Sequence, residues 1–532
     1  MPLGGTSKGL PELPEAPDRG PGRRNRGAAA IFLTAPRTRL AGLAGRKRLL
    51  AAAAAGIAAT LAMPPLGVTP ALAAGLVALA WLLDGTARLR DAFLTAFAFA
   101  FGFFAAGLYW VAGSFFVVGG ATAVGGPAAV LGLAALLAFF LAFPAALAYH
   151  LTRPGIGRAL ALAAALGLGD WLRGHLLTGF PWNLFGYSWL HVPAIEQAAA
   201  IVGIYGVGLA TLAICLLLSV PDRRAWAAAA LAVAAMFAHG ELRLGNAPPA
   251  ETAGGSLLRL VQPNIPQSEK WRREDAAAHL QRLVRLASAG PVPDAVIWPE
   301  TAVARLLYSE SPLVEALGKS VESRRGLISG APWREDGRYY NSILAIDREG
   351  RIQGRHDKAH LVPFGEYVPL RSLLGAAKLT VGSKDFAAGP DPSTLVLPGI
   401  PPFGALICFE AIFPGEVIAA ANPPEWLLNL TNDAWFGETA GPHQHFEIAR
   451  MRAIETGLPV LRVANTGITG AVDGYGRRLG RLELGTAGSL DIRLRPPLAE
   501  TPYRRLGDLP FFAGVLLLAA FAAWRGRSGG RR

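Results

Sequence analysis

Apolar positions dominate the first half of the chain in long runs and alternate with polar ones in short runs over the second. From about residue 48 to 240 the hydrophobic stretches follow one another with only brief charged or Gly/Pro-rich joints. Spans over roughly 48–63, 66–84, 91–113, 124–150, 157–173, 196–219 and 224–239 account for them, and an eighth fills 509–524. A helix rises about 1.5 Å per residue, so runs of about 16 residues lie at the lower limit for about 30 Å of hydrocarbon. The first run has the length of a signal peptide's apolar core; more spans follow at once, so it reads as retained.

Between residues 255 and 495 the period changes. Short β-rich runs end in turn residues: "SLLRLVQPNIP", "DAVIWPE", "GLISGAP", "YNSILAIDREGRI", "GALICFE", "EWLLNLTNDAWFG", "PVLRVANTGITGAVDGYGR" and "SLDIRL". Helix-like stretches, such as 272–288 and 443–457, lie between several of them. Strands alternating with helices predict a layered α/β domain around buried sheet, and roughly 240 residues suffice for a core of their own.

Composition supports the division. Of 532 residues 52% are hydrophobic and 17% charged, against about 25% charged in an ordinary soluble domain. The net charge of +13 is unevenly placed: residues 1–48 hold ten Lys/Arg against three acids, and four arginines follow Trp524. Basic ends flanking apolar spans read as positive-inside anchors rather than a nucleic-acid surface. With the N-terminus inside, the inner joints carry Arg88, Arg90, Arg153, Arg158, Arg223 and Arg224. The outer joints "MPPLG" and "SFFVVGGATAVGGP" carry no basic residue, and the long third one carries Arg173 alone. An odd number of spans then places the polar domain outside the cytoplasm. The expected organisation is a basic, disordered arm at 1–47, a membrane domain at 48–240, an extracytoplasmic domain at 241–508, a last span at 509–524 and a cytoplasmic basic tail at 525–532.

The chain has two cysteines. Cys215 lies in an apolar span and Cys408 in the polar half, which argues against a disulfide, and there is no zinc-type Cys pair. A cysteine in an apolar run is commonly a small buried hydrophobe. Cys408, however, closes "GALIC" where a strand should stop, as Glu300 closes "DAVIWPE" and Lys358 lies in "GRHDKAHLVPFGEYVP". In layered α/β folds the carboxyl ends of strands line the ligand crevice. A nucleophilic thiol needs a base for its proton and a positive group for the developing oxyanion, and Glu, Cys and Lys can supply these roles. His356, His360, His443 and His445 lack the spacing of a metal motif, so no metal is expected. Asp170 and Arg173 can pair near the outer membrane face, serving either stability or headgroup contact. "TGFPWNLFGYS" mixes aromatics with helix breakers and reads as an interfacial loop.

"WPE", "KAHLVPFGEYVP", "ICFE" and "TNDAWFG" together resemble the signature of the nitrilase-type carbon–nitrogen hydrolases, with their Glu-Lys-Cys triad. Joined to "LVQPNIPQSEKW", "LLTGFPWNLFGYS", "GPHQHFEIARMRAIE" and the many spans, they resemble the bacterial apolipoprotein N-acyltransferase family over about residues 48–524. The resemblance implies an αββα sandwich fused to about eight spans in the inner membrane. It implies Cys408 as nucleophile, Glu300 as general base, Lys358 as oxyanion stabiliser, and no cofactor. The expected partners are a phospholipid acyl donor and an S-diacylglyceryl apolipoprotein acceptor, with a thioester acyl-enzyme between them. Glu366 matches a second glutamate that orients the catalytic residues, and Glu410 one beside the nucleophile, with a structural or a catalytic role. Trp271 matches a tryptophan flanking the lipid entrance, and Trp182 and Phe409 are further candidates for substrate contact. Phe409 stands where the family often has Tyr, so a hydroxyl is missing there. Two other readings compete: a membrane-tethered amidase or nitrilase using the same triad, and a non-catalytic lipoprotein-binding scaffold. Eight spans exceed what a tethered hydrolase needs, and an intact triad argues against a scaffold.

Overall fold

The computed structural model describes Met1 and residues 28–249, 254–369, 385–390, 392–419 and 421–528. A helical bundle comes first: α1 Ala28–Ala41, α2 Gly45–Ala59, α3 Thr69–Asp84, α4 Leu89–Gly107, α5 Val111–Val118, α6 Gly125–Leu151, α7 Ile156–His175, α8 Ala199–Leu218 and α9 Arg223–Gly245. Helices α10 Ala276–Ala287, α11 Pro312–Ser320 and α12 Ala440–Thr456 belong to the second half, and α13 Leu509–Ser528 rejoins the bundle.

Each expected span coincides with one helix. Five helices, Leu89–Gly107, Thr122–Leu151, Ala199–Leu218, Arg223–Gly245 and Leu509–Arg527, are long and apolar enough to cross a membrane. α2 and α3 are shorter, and α7 carries Arg158, Asp170 and Arg173. Close packing explains how weakly apolar helices still cohere. A Cβ on Gly56 would lie 1.9 Å from the Phe99 carbonyl oxygen, and one on Gly102 2.3 Å from that of Ala53. Glycine thus lets α2 and α4 touch backbone to backbone. The stretch 1–47, expected as a disordered arm, contains α1, whose Arg37 bonds Asp84 through Nε and Nη2 at 3.1 and 2.7 Å. Residues 2–27 of that expected arm lie outside the described residues.

The two ends of the bundle differ. At one end Asp84 pairs with Arg37 and with Arg158 (3.5 Å), and Arg48 donates to the Gly85 carbonyl (2.7 Å). Arg153, Arg158, Asp222, Arg525 and Arg527 share a cavity of about 470 Å³ there. The joints after α3, α6 and α8 and the last turn of α13 therefore meet at this end. The joints after α2, α4 and α7 meet at the other, where Pro64, Trp110 and Trp182 all bond to Gln444 of α12.

The second half holds two six-stranded sheets. The strands are β1 Leu257–Gln262, β2 Ala295–Ile297, β3 Gly326–Glu335, β4 Arg338–Asp347, β5 Ile352–Asp357, β6 Ser393–Leu397, β7 Ile400–Ile407, β8 Trp426–Thr431, β9 Val460–Ala464, β10 Thr469–Val472, β11 Arg478–Leu482 and β12 Gly488–Arg493. Their orders are β12-β1-β2-β3-β4-β5 and β11-β10-β9-β8-β7-β6. Three parallel strands (β1, β2, β3 and β7, β8, β9) sit within each sheet, and antiparallel neighbours flank them. Period-two alternation sorts the side chains into layers. Ala295 and Ile297 join Ile407, Leu428 and Leu461 between the sheets. Val296 faces outward with Leu283 of α10 and Leu317 of α11, while Leu406 and Leu427 meet Ala449 and Ala453 of α12. The result is the expected αββα sandwich.

Candidate active site

β7 is buried on both faces, as its apolar run dictates, and it delivers Cys408 at the first residue of a tight turn, Cys408–Ile412. Cys408 has φ +50°, a left-handed conformation that costs about 1–3 kcal/mol outside glycine and survives only where neighbours enforce it. They do so on both sides. The Cys408 carbonyl accepts from Asn429 Nδ2 (3.2 Å) and faces His445 Nε2 (3.1 Å). Glu410 closes the turn by accepting from the Ile407 N–H at 2.6 Å.

Glu410 also accepts from the N–H of Ala359 (2.7 Å) and faces His356 Nε2 (3.1 Å), so it stitches the segment after β5 to the Cys408 turn. Burial opposes its charge, yet His356 and the N–H donors hold its pKa below the ordinary carboxylate value. Of the two roles expected for Glu410, the geometry displays the structural one. Glu300 lies three residues beyond β2, and Lys358 follows β5 directly. Lys358 Nζ pairs with Glu366 at 2.8 Å, and Asn341 Nδ2 bridges Glu300 (2.8 Å) and Glu366 (3.1 Å). Cys408, Glu300, Lys358 and Glu366 are all at most 9% exposed, and Glu300 and Lys358 act electrostatically on Cys408 in this nearly dry space.

That dryness sets their proton affinities. Burial, with the Glu300 charge next, pushes the Cys408 thiol up to about 12 against the pull of Lys358. Burial likewise raises Glu300, with Lys358 and Lys270 opposing. For Lys358 burial works against the charge, but Glu366, Cys408 and Glu300 outweigh it and raise its pKa. The resting site therefore holds a protonated thiol, a carboxylate of raised affinity and a firmly charged ammonium. Such a set can take a proton from sulfur as attack begins and hold a developing oxyanion.

The structure places the other candidates as follows. Phe409 packs against Phe413, His360 and Phe180 with centroids 5.1, 5.8 and 6.2 Å apart, a socket whose ring neighbours are all aromatic. Trp271 is half-buried just after the short helix Gln267–Lys270. Trp182 is 1% exposed, and its indole N–H donates to Gln444 Oε1 at 2.7 Å. The segment read as an interfacial loop is thus interior, wedged between the bundle and α12, because α12 supplies the acceptor that its indole needs. Asp170 and Arg173 do pair, at 2.8 Å, and Arg173 also donates to the carbonyls of Phe180 and Trp182; the pair is buried and shapes that wedge.

Sequence reasoning missed Asn341, Lys270 and the Asp433–Arg462 pair. Asn341 sits mid-strand in β4 and offers no motif. Lys270, 2% exposed, donates to the Glu300 carbonyl at 3.0 Å. His445, weighed above with the other histidines, instead faces Asp433 at 2.9 Å, and Arg462 bonds the same Asp433 at 2.6 Å. Donor atoms of Cys408, Asp433 and His445 lie within 4.8 Å of one another. The Arg462 cation already occupies that set and disfavours a metal. "TND" after a strand was the available signal for Asp433.

Fold and site together define a carbon–nitrogen hydrolase-type catalytic domain joined to an apolar helical bundle. Residues 257–490 match the carbon-nitrogen hydrolase family, and residues 55–217 match the apolipoprotein N-acyltransferase N-terminal domain. Apolipoprotein N-acyltransferases of Rhodopseudomonas palustris and Bradyrhizobium diazoefficiens are 40% and 42% identical over 518 and 513 residues. These alignments cover 91% and 90% of this chain and 96% and 95% of the relatives. Among solved structures, an amidase from Nesterenkonia sp. AN1 aligns with 50% of this chain and 97% of its own at 17% identity and a TM-score of 0.34. The chain belongs to the apolipoprotein N-acyltransferase family, and it is an acyltransferase of lipoprotein maturation.

Proposed function

We propose that the chain moves an acyl chain from a phospholipid to the α-amino group of an S-diacylglyceryl cysteine by a two-step exchange on Cys408. Glu300 takes the thiol proton as sulfur attacks the sn-1 ester carbonyl, and Lys358 with a backbone N–H of the nucleophile turn holds the oxyanion. The C–O bond breaks, the lysophospholipid leaves with the proton from Glu300, and a thioester remains. The incoming amine attacks the thioester, Glu300 takes its proton, the C–S bond breaks and the thiol is restored. Glu366 keeps Lys358 in place. The observation that carries this reading is Cys408, held at φ +50° at the end of a buried strand and facing a carboxylate and an ammonium from two other strand ends.

The αββα domain, residues 241–508, lies outside the cytoplasm in this reading, with eight crossings in the bundle. Support comes from the chain's alternation between the arginine-rich end and the aromatic end, where the domain is seated. An engineered cysteine on the domain surface should react with an impermeant maleimide in spheroplasts, and one near Arg224 should not; the reverse pattern overturns the orientation. Water exclusion around the thioester suppresses hydrolysis. Enzyme given phospholipid alone should therefore carry an acyl adduct on Cys408, visible by mass spectrometry. A diacylglyceryl-cysteine peptide with a free amine should discharge it, and the same peptide with a blocked amine should not. Rapid fatty-acid release without any amine would instead establish a tethered hydrolase.

A further inference from the structure

The site contains a second buried lysine that the exchange above leaves without a task. Lys270 ends the short helix Gln267–Lys270, and its Nζ donates to the Glu300 carbonyl at 3.0 Å. The next residue, Thr301, has φ +45°, a genuine outlier for a β-branched side chain. The Glu300–Thr301 peptide is thus turned in an unfavoured direction, and an ammonium sits on its oxygen.

Charge tells the same story. Glu300 from the β2 loop and Cys408 from the β7 turn face Lys270, and Lys358 and Glu366, bonded to each other, face Glu300. Glu410 is engaged by the Ala359 and Ile407 N–H groups and by His356. The groups around Glu300 therefore comprise a second carboxylate, Glu366, and two ammoniums, Lys358 and Lys270, while on the other side of the thiol Asp433 is compensated by Arg462 and faces His445. Remove one ammonium, and a buried carboxylate is left without compensation, which is relieved by taking up a proton.

We propose that Lys270 is a positioning residue for the acyl transfer: it fixes the Glu300 peptide to the Gln267–Lys270 helix and supplies the charge that keeps Glu300 ionised as the base. This rests on the Cys408–Glu300–Lys358 reading. Burial brings Lys270 itself down to about 8, with Glu300 and Cys408 opposing. Its charge is then lost as pH rises through that value, and the charge-assisted bond that holds the Glu300 carbonyl weakens with it, while Glu300 stays ionised.

The test is the single-turnover rate of Cys408 acylation against pH, using full-length protein in detergent and a phospholipid with an alkyne-tagged sn-1 chain. The native protein should show an acid limb and an alkaline limb near pH 8. Lys270→Met should slow acylation at neutral pH by about 10²-fold, the scale of losing a general base. It should also move the acid limb up by about 1–3 pH units and abolish the alkaline limb. Lys270→Arg should restore much of the rate and carry the alkaline limb upward. A Lys270→Met protein with a lower plateau but both limbs unmoved overturns the proposal, as does one that acylates at the native rate. Should that variant not fold, the native and Arg profiles decide: an alkaline limb at the same pH in both is fatal. Cys408→Ala and Glu300→Gln run alongside. If either still takes up acyl chain at the native rate, the triad reading fails; if both are inert while Lys270→Met behaves as native, only the role of Lys270 fails.

Discussion

The two ends of the helical bundle are built from different chemistry. At the far end arginines gather: Arg37 and Arg158 on Asp84, and Arg153, Arg525 and Arg527 around one cavity. At the near end Trp110 and Trp182 lie 4.6 Å apart, and both donate to Gln444. Gln444 Nε2 in turn donates to the Pro64 carbonyl, and His445, the next residue, faces the Cys408 carbonyl. The near end is thus bonded to the Cys408 turn through two consecutive residues of α12. Charge on a partly exposed helix end fixes orientation and contributes little else. Buried indoles that need acceptors tie one domain to another.

Substitutions should separate the ends by effect. Nearest the chemistry, Cys408→Ala should abolish the acyl adduct, because Cys215 lies buried in α8, and Glu300→Gln should slow acylation by about 10²–10⁴-fold; both are read by mass spectrometry. The acid side of the native pH profile should lie above the ordinary carboxylate range, since burial raises Glu300 and the proposed base would work only when ionised. One step further out, Gly330→Ala would place a Cβ 2.6 Å from the Pro299 oxygen and the Thr301 nitrogen. Overpacking of this kind costs about 1–3 kcal/mol. It should push the Glu300 loop aside, lowering acylation more than the melting temperature. At the aromatic joint, Gln444→Leu leaves two indole donors unpaired at about 1–3 kcal/mol each. Thermal unfolding should register that loss, and acylation should fall several-fold through His445. If acylation stays at the native rate, the joint is only an adhesive. At the basic end, Asp84→Asn removes two partly exposed pairs, with Arg37 and Arg158, and should cost about 1–2 kcal/mol at most, with acylation unchanged. A large loss of activity there would erase the distinction between the ends.

Most of the fold was legible because burial leaves a period in sequence. The eight apolar runs each became a helix, and the short β-rich runs became strands that deliver Glu300, Lys358 and Cys408 at their carboxyl ends. Helix length was less legible: α2 and α3 end at Ala59 and Asp84, where Pro and Gly follow, and fall short of the length that crosses a bilayer unaided. The burial of the aromatic segment around Trp182 was not legible, because its hydrogen-bond partner, Gln444, lies 262 residues away.

The sequence by itself determined the division into an apolar bundle and an α/β domain, the polarity of the joints, and the residue types able to run a thiol exchange. These are local properties: periodicity, composition and the residue at the end of each strand. Only the tertiary structure decided that Glu410 braces the nucleophile turn, that Asn341 bridges two carboxylates, and that Lys270 and Thr301 set the Glu300 peptide. Those roles depend on which hydrogen bond each group finds once buried. That choice is made by neighbours far along the chain, and no pattern within a single segment encodes it.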